Sequence, residues 1–272
     1  MKKTKKVICC FMIIALLFSL AACNTDTPKS DNTALKESPS TDTSEIKTLL
    51  VYCGAGLKKP MTEIAGIFEK EYNVKIDYTF AGSAQLLSQA ELSKKGDIFI
   101  VGSMDSYNVA LEKELVFKGK PVAYHIPVIG VPKGNPANIK TLEDMTKPGI
   151  KVILGDEKAN AIGKAAQRII KSSKLEGINT NVVAKTATVN ELGVHLSMKD
   201  VDASIVTLDL AVNNDDVEYI EIPEDINSIE TIPVGTLKNS QDTELSNKFV
   251  DFVSSEEGKT IFEKHGFPPV KK

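Results

Sequence analysis

The sequence predicts an α/β protein of two lobes around a cleft, and three observations predict it. Over residues 48–111, apolar strand-like segments alternate with stretches of helical spacing, the rhythm of a parallel, doubly wound sheet. The rhythm breaks at residues 122–132, a long extended run with no helix behind it. A second extended run, residues 231–237, leads back after a further α/β stretch. Two lobes joined by two crossover strands enclose a cleft, with a hinge at the crossings. Residues 48–126 and 234–272 form lobe I in this reading, and residues 127–233 form lobe II.

The first 47 residues stand outside the fold. Met1-Lys2-Lys3-Thr4-Lys5-Lys6 is basic, and residues 7–22 form an apolar run short for a membrane span. The run ends in Leu20-Ala21-Ala22-Cys23, which resembles the lipobox of bacterial lipoproteins. The resemblance implies a signal peptide over 1–22, cleaved before Cys23, whose thiol is then acylated. Residues 24–47 are rich in Thr, Ser, Asp, Lys and Pro and carry little that could be buried, so 23–47 read as an acylated cysteine and flexible tether. The expected location is the outer side of the cytoplasmic membrane, lipid-anchored.

In chain order, Leu49-Leu50-Val51-Tyr52-Cys53 is a strand, Gly54-Ala55-Gly56 a turn, and Leu57 starts a helix with Met61, Ile64, Ala65, Phe68 and Tyr72 on one face. Pro60 fits the first turn of that helix. Residues 74–79 alternate as a half-buried strand. Phe80-Ala81-Gly82-Ser83-Ala84-Gln85-Leu86 then turns into a helix bearing Leu86, Leu87 and Ala90. Residues 97–101 are the next strand, and a helix runs through Leu111. Beyond the first crossing, 138–145 predict a short helix, 151–154 a strand, and Ile162, Ala165, Ala166, Ile169 and Ile170 the apolar face of a helix. Strand 182–184, helix 189–198, strand 203–206 and extended segment 217–222 follow. Two short amphipathic helices with Val250, Phe252, Val253, Ile261 and Phe262 close the chain.

The functional signal lies in the two small-residue turns, Gly54-Ala55-Gly56 and Ala81-Gly82-Ser83-Ala84. A strand-to-helix turn presents unpaired N–H groups and the positive end of a helix dipole, which suits an anion, and Ser83 adds a hydroxyl donor. Either turn alone is explained by tight βα packing. Two on neighbouring parallel strands aim at one point.

Charge sharpens this. Losing the four lysines of residues 1–22 leaves 29 basic against 36 acidic residues, a net charge of −7. Nucleic acid is a poor partner for such a surface, and an anion must be held by local amides and hydroxyls. Of four cysteines, Cys9 and Cys10 leave with the signal and Cys23 is acylated. Cys53, at the end of a buried strand, reads as a small hydrophobe and has no partner for an intramolecular disulfide.

Val51-Tyr52-Cys53-Gly54-Ala55-Gly56-Leu57, Phe80-Ala81-Gly82-Ser83, Gly96-Asp97-Ile98-Phe99-Ile100, Leu154-Gly155-Asp156 and Gly258-Lys259-Thr260-Ile261-Phe262-Glu263-Lys264-His265-Gly266-Phe267 together resemble the solute-binding proteins of bacterial molybdate/tungstate ABC importers. The segments span nearly all of the chain after the tether. The resemblance implies the two-lobed periplasmic-binding-protein type II fold and a dehydrated tetrahedral oxyanion as ligand. It implies no cofactor, no direct protein–metal ligand, a monomer, and as partners a membrane permease with its ATPase. Among the site residues it implies, the family's first serine falls on Gly56, leaving an amide. Its second serine is kept as Ser83. Amides at helix starts fall on Ile162 and Val189, and the family's tyrosine falls on Thr207, a hydroxyl on a shorter arm.

Three alternatives stay open at the level of sequence. The same class of protein could bind sulfate, phosphate or a small carboxylate, because two side-chain donors differ. An extracellular enzyme is the remote one: Ser83 is not in a G-x-S-x-G elbow, and His125, His195 and His265 have no ligand-spaced neighbours, so they read as core or surface residues. Asp156 is the one acid placed at the cleft edge. A tethered sensor or adhesin would also use this fold, but no further domain is evident to transmit a signal.

Overall fold

A computed structural model describes residues 46–270; Cys23, the signal peptide and most of the tether lie outside the described residues. β1 (Thr48–Gly54) runs through a 3-10 turn (Ala55–Leu57) into α1 (Lys58–Tyr72). β2 (Lys75–Ala81), α2 (Ser83–Ser93), β3 (Ile98–Ile100) and α3 (Met104–Glu112) continue the expected rhythm. β4 (Lys120–His125) and β5 (Pro127–Pro132) are separated by Ile126 alone, where the chain changes sheet. The second sheet is built from β5, β6 (Val152–Gly155), β7 (Val182–Thr186), β8 (Ala203–Thr207) and β9 (Val217–Glu221), with α4 (Ala161–Ser172), α5 (Val189–Met198) and α6 (Leu208–Val212) between them. β10 (Glu230–Thr236) returns to the first sheet, and α7 (Thr243–Ser254) and α8 (Glu256–Lys264) close the chain.

The strand orders are β2-β1-β3-β10-β4 and β7-β6-β8-β5-β9. In the first sheet β10 alone runs against its neighbours, and in the second β5 alone does. Each sheet is therefore mostly parallel in direction, yet the crossing strands make it mixed. Because β10 slots between β3 and β4, the two crossings lie side by side. Glu230 pairs opposite His125, so residues 230–233, assigned from sequence to lobe II, sit in the first sheet.

Alternation along the strands divides the first lobe's core in two. Leu49, Val51 and Cys53 of β1 and Ile98 and Ile100 of β3 pack with Phe68, Phe249 and Phe262 from α1, α7 and α8. Tyr52, Phe99 and Val101 face the other way, against Leu86 and Tyr107 of α2 and α3. Each fully buried Leu, Ile or Phe contributes on the order of 1.5–3 kcal/mol. Cys53 belongs to this core, and burial pushes its thiol well up from the ordinary value, as suits an inert hydrophobe. The second lobe has one core, into which α4 sends Ile162, Ala165, Ala166, Ile169 and Ile170.

One predicted element is not a helix. Within 138–145 only a 3-10 turn, Glu143–Thr146, forms. Local side chains capture the backbone first: Asn135 bonds both the carbonyl (2.7 Å) and the amide (3.0 Å) of Ile139, and Asp144 accepts from the amides of Lys140 (2.7 Å) and Thr141 (3.0 Å).

Candidate anion-binding cleft

Four backbone turns meet where the two lobes face each other. From the first lobe come the Gly54–Leu57 turn after β1 and the N-terminus of α2. From the second come the N-termini of α4 and α5. Together they line a pocket of about 30 Å³. Sites for drug-sized ligands measure about 300–1,000 Å³, so this cavity suits a small ion and excludes a sugar or peptide.

Each turn has a local cause. Gly82 N-caps α2 without a side chain, because a Cβ there would fall 2.7 Å from the Ala187 carbonyl oxygen and 2.8 Å from that of Ala159. Only glycine lets the second lobe come so close. Ser83 follows, buried at the first helical position. α4 is capped by Asn160, whose Oδ1 accepts from the Gly163 amide (2.8 Å) while its amide nitrogen donates to the Thr186 carbonyl (2.9 Å). α5 starts after Thr188, and Glu191 reaches back to the Ala187 amide (3.0 Å) and the Thr188 hydroxyl (2.9 Å). Three helix dipoles thus point their positive ends at one small volume.

The cleft is shut. The Ala84 amide donates to the Ala159 carbonyl across it at 3.1 Å, and Asn190 donates to the Ala55 carbonyl at 3.0 Å. Near the hinge Arg168 of α4 holds Asp105 of α3 at 2.5 Å, bonds Ser228 at 2.8 Å and pairs with Glu230. An added Cβ at Gly56 would lie 2.8 Å from Val189 Cγ1, so here too the lobes touch. Val189 thus fills the space beside Gly56 that a side chain there would take.

Gly56, Ser83, Ile162 and Val189 all line the one cavity. Thr207 does not. It ends β8 and lines an adjoining hollow of about 10 Å³, together with Ile162, Gly102, His125 and Glu230. Its short side chain stops one layer deeper, fully buried, with Oγ1 making no hydrogen bond among the described residues. Asp156 serves the loop before α4, accepting from the Lys158 amide (2.7 Å) and, through its carbonyl, from Ala159 and Asn160 (3.0 Å each).

Two residues of the site were not singled out from sequence. Asn160 carries an N-cap signal that could have been read. His125 lies on the wall of both hollows, buried, with Nδ1 2.9 Å from the Gly102 carbonyl oxygen and Nε2 3.4 Å from Asp209 Oδ1. Burial alone would push its pKa down, but Asp209, the Gly102 carbonyl and Glu230 outweigh that and raise it. Nδ1 is thereby occupied, while Nε2 faces Asp209 as an ion-pair partner and makes no hydrogen bond among the described residues. Among the described residues no group of three His, Cys, Asp or Glu side chains gathers to hold a metal.

A profile of the bacterial extracellular solute-binding protein family matches residues 49–268. The chain belongs to this family. A Haemophilus influenzae relative described as a putative binding protein is 31% identical over 225 residues, covering 82% of this chain and 91% of its own. A Mycobacterium bovis relative named molybdate-binding protein ModA is 26% identical, covering 93% and 94%. The solved substrate-binding domain of a putative molybdenum ABC transporter from Clostridium difficile superposes with a TM-score of 0.65 at 25% identity, covering 82% of this solute-binding protein and 99% of that domain. These relatives bear out the resemblance read from the sequence, and the fold is the periplasmic-binding-protein type II. The protein is thus a bacterial extracellular solute-binding protein.

Proposed function

We propose that this solute-binding protein captures a doubly charged tetrahedral oxyanion, molybdate or tungstate, outside the cell and delivers it to a membrane permease driven by a separate ATPase. The observation that carries the reading is the small pocket at the meeting of three helix N-termini. Ser83 donates its hydroxyl, and the amides near Gly56, Ser83, Ile162 and Val189 complete the shell. Neutral donors fixed by the two lobes replace the water lost on closure, and exclusion of water strengthens each bond. Thr207 contributes from the adjoining hollow. The lipid anchor on Cys23 holds the protein beside its permease, and it works as a monomer without a cofactor. The reading makes it a carrier and not an enzyme.

A different small anion, such as sulfate, phosphate or a small carboxylate, is the second reading. The lack of a side chain at Gly56 and the recessed hydroxyl of Thr207 favour it. Thermal melting of the soluble form beginning after Cys23 separates the two, with molybdate, tungstate, sulfate, phosphate and citrate at equal ionic strength. A ligand at about 1,000 times its dissociation constant adds about 4 kcal/mol, a rise of roughly 8–16 °C at this size. The proposal predicts that rise for molybdate and tungstate alone. A rise confined to another anion overturns the ligand assignment.

A further inference from the structure

A buried carboxylate stands beside the cavity wall of a protein that carries a net charge of −7 without its first 22 residues. Asp209, at the start of α6, is 5% exposed, and its Oδ1 makes no hydrogen bond among the described residues. Left alone it would oppose entry of a dianion through low-dielectric protein. The group that answers it is His125, 3.4 Å away and on the wall of the anion cavity itself.

The remaining charges around His125 are already matched. Glu230, its neighbour across the β4–β10 ladder, pairs with Arg168 of α4, which also holds Asp105 of α3; Lys164 adds a second positive charge toward Glu230. Phe267 covers the imidazole, with ring centroids 5.7 Å apart. Asp209 from α6 thus depends on the His125 proton for its neutralisation.

We propose that His125 is a positioning residue for the anion: its imidazolium neutralises Asp209 at the hinge, and affinity for a dianion is coupled to one proton on this pair. The inference rests on the oxyanion reading above. It adds a requirement which that reading, with amides and hydroxyls alone, does not contain.

The test is calorimetric titration of the soluble protein with molybdate, tungstate and sulfate, all dianions between pH 6 and 10, at constant ionic strength. Wild type, H125Q, D209N and H125Q/D209N are compared, with thermal melting to confirm that each is folded. Wild-type affinity falls as the pH rises from 6 to 10, approaching tenfold per pH unit once His125 has lost its proton. At pH 6, H125Q binds at least tenfold more weakly, and the double variant recovers to within about threefold of wild type. D209N binds at least as tightly as wild type with a flat pH profile, and it decides the matter if H125Q does not fold.

H125Q within threefold of wild type at pH 6, a folded double variant that does not recover, or D209N with the wild-type pH profile overturns the coupling while leaving the oxyanion reading intact. A wild-type affinity that is flat from pH 6 to 10 does the same. A wild type that binds none of the three anions overturns both.

Discussion

Replacing Gly56 with serine puts a hydroxyl where the family resemblance places one, and the structure says what that costs. The new Cβ falls 2.8 Å from Val189 Cγ1, a methyl on the opposite lobe. A helical valine strongly prefers one rotamer, and turning it away costs about 0.5–1.5 kcal/mol. If the methyl stays, overpacking costs about 1–3 kcal/mol. The hydroxyl returns about 1.5–3 kcal/mol as a hydrogen bond to a charged ligand. Gain and cost nearly cancel, so G56S alone changes affinity little. Val189→Ala removes the obstruction. In that background the same serine should tighten binding by about 1–3 kcal/mol more than in wild type, roughly 5- to 150-fold. The assay is a four-protein thermodynamic cycle by calorimetry with molybdate. Additivity within about 0.5 kcal/mol would show that the two residues do not meet in the bound state and would refute the closed geometry.

Other perturbations address separate parts of the account. Ser83→Ala should weaken binding of molybdate by about 1.5–3 kcal/mol with little change in unliganded melting; unchanged affinity in the calorimeter removes Ser83 from the site. Asn160→Ala deletes the α4 cap at Gly163 and the bond to Thr186. The expected loss is about 1 kcal/mol, seen as melting roughly 2–4 °C lower, and an unchanged melting temperature contradicts it. Glu63 of α1 accepts from Lys264 and His265 at 2.8 Å each, and these bonds, the lysine's first, hold its carboxyl below the ordinary value. A depressed carboxylate stabilises the fold above its unfolded pKa and loses that contribution as pH falls through the folded one. Urea unfolding from pH 5 to 3 should therefore show a shallower loss of stability in Glu63→Gln than in wild type. Equal slopes would sink the attribution.

The fold was legible where one local signal decided the structure. Leu49, Val51 and Cys53 against Tyr52, and Ile98 and Ile100 against Phe99, divide by alternation onto the two faces of their sheet. The periodicity of α5 gave its bounds, Val189–Met198, without error. Residues 138–145 misled because Asn135 and Asp144 hold that backbone through side-chain bonds that compete with a helix. Four of the five expected site residues line one cavity: small residues after strands marked the turns of Gly56 and Ser83, whereas Ile162 and Val189 came from the family resemblance. The remainder depended on contacts between distant parts of the chain. Nothing near Gly56 announces Val189, nothing near Gly82 announces Ala159, and His125 reads as an ordinary core histidine until Asp209 and Glu230 are brought beside it.

The central claim is that the anion sits at the convergence of α2, α4 and α5. Anomalous diffraction at the molybdenum edge from crystals grown with molybdate tests it most directly. The account predicts one strong peak inside the closed cleft, with oxygens in hydrogen-bond range of the Ser83 hydroxyl and of the amides near Ile162 and Val189. A peak elsewhere on the protein, or an empty cleft in crystals grown with saturating molybdate, would contradict it.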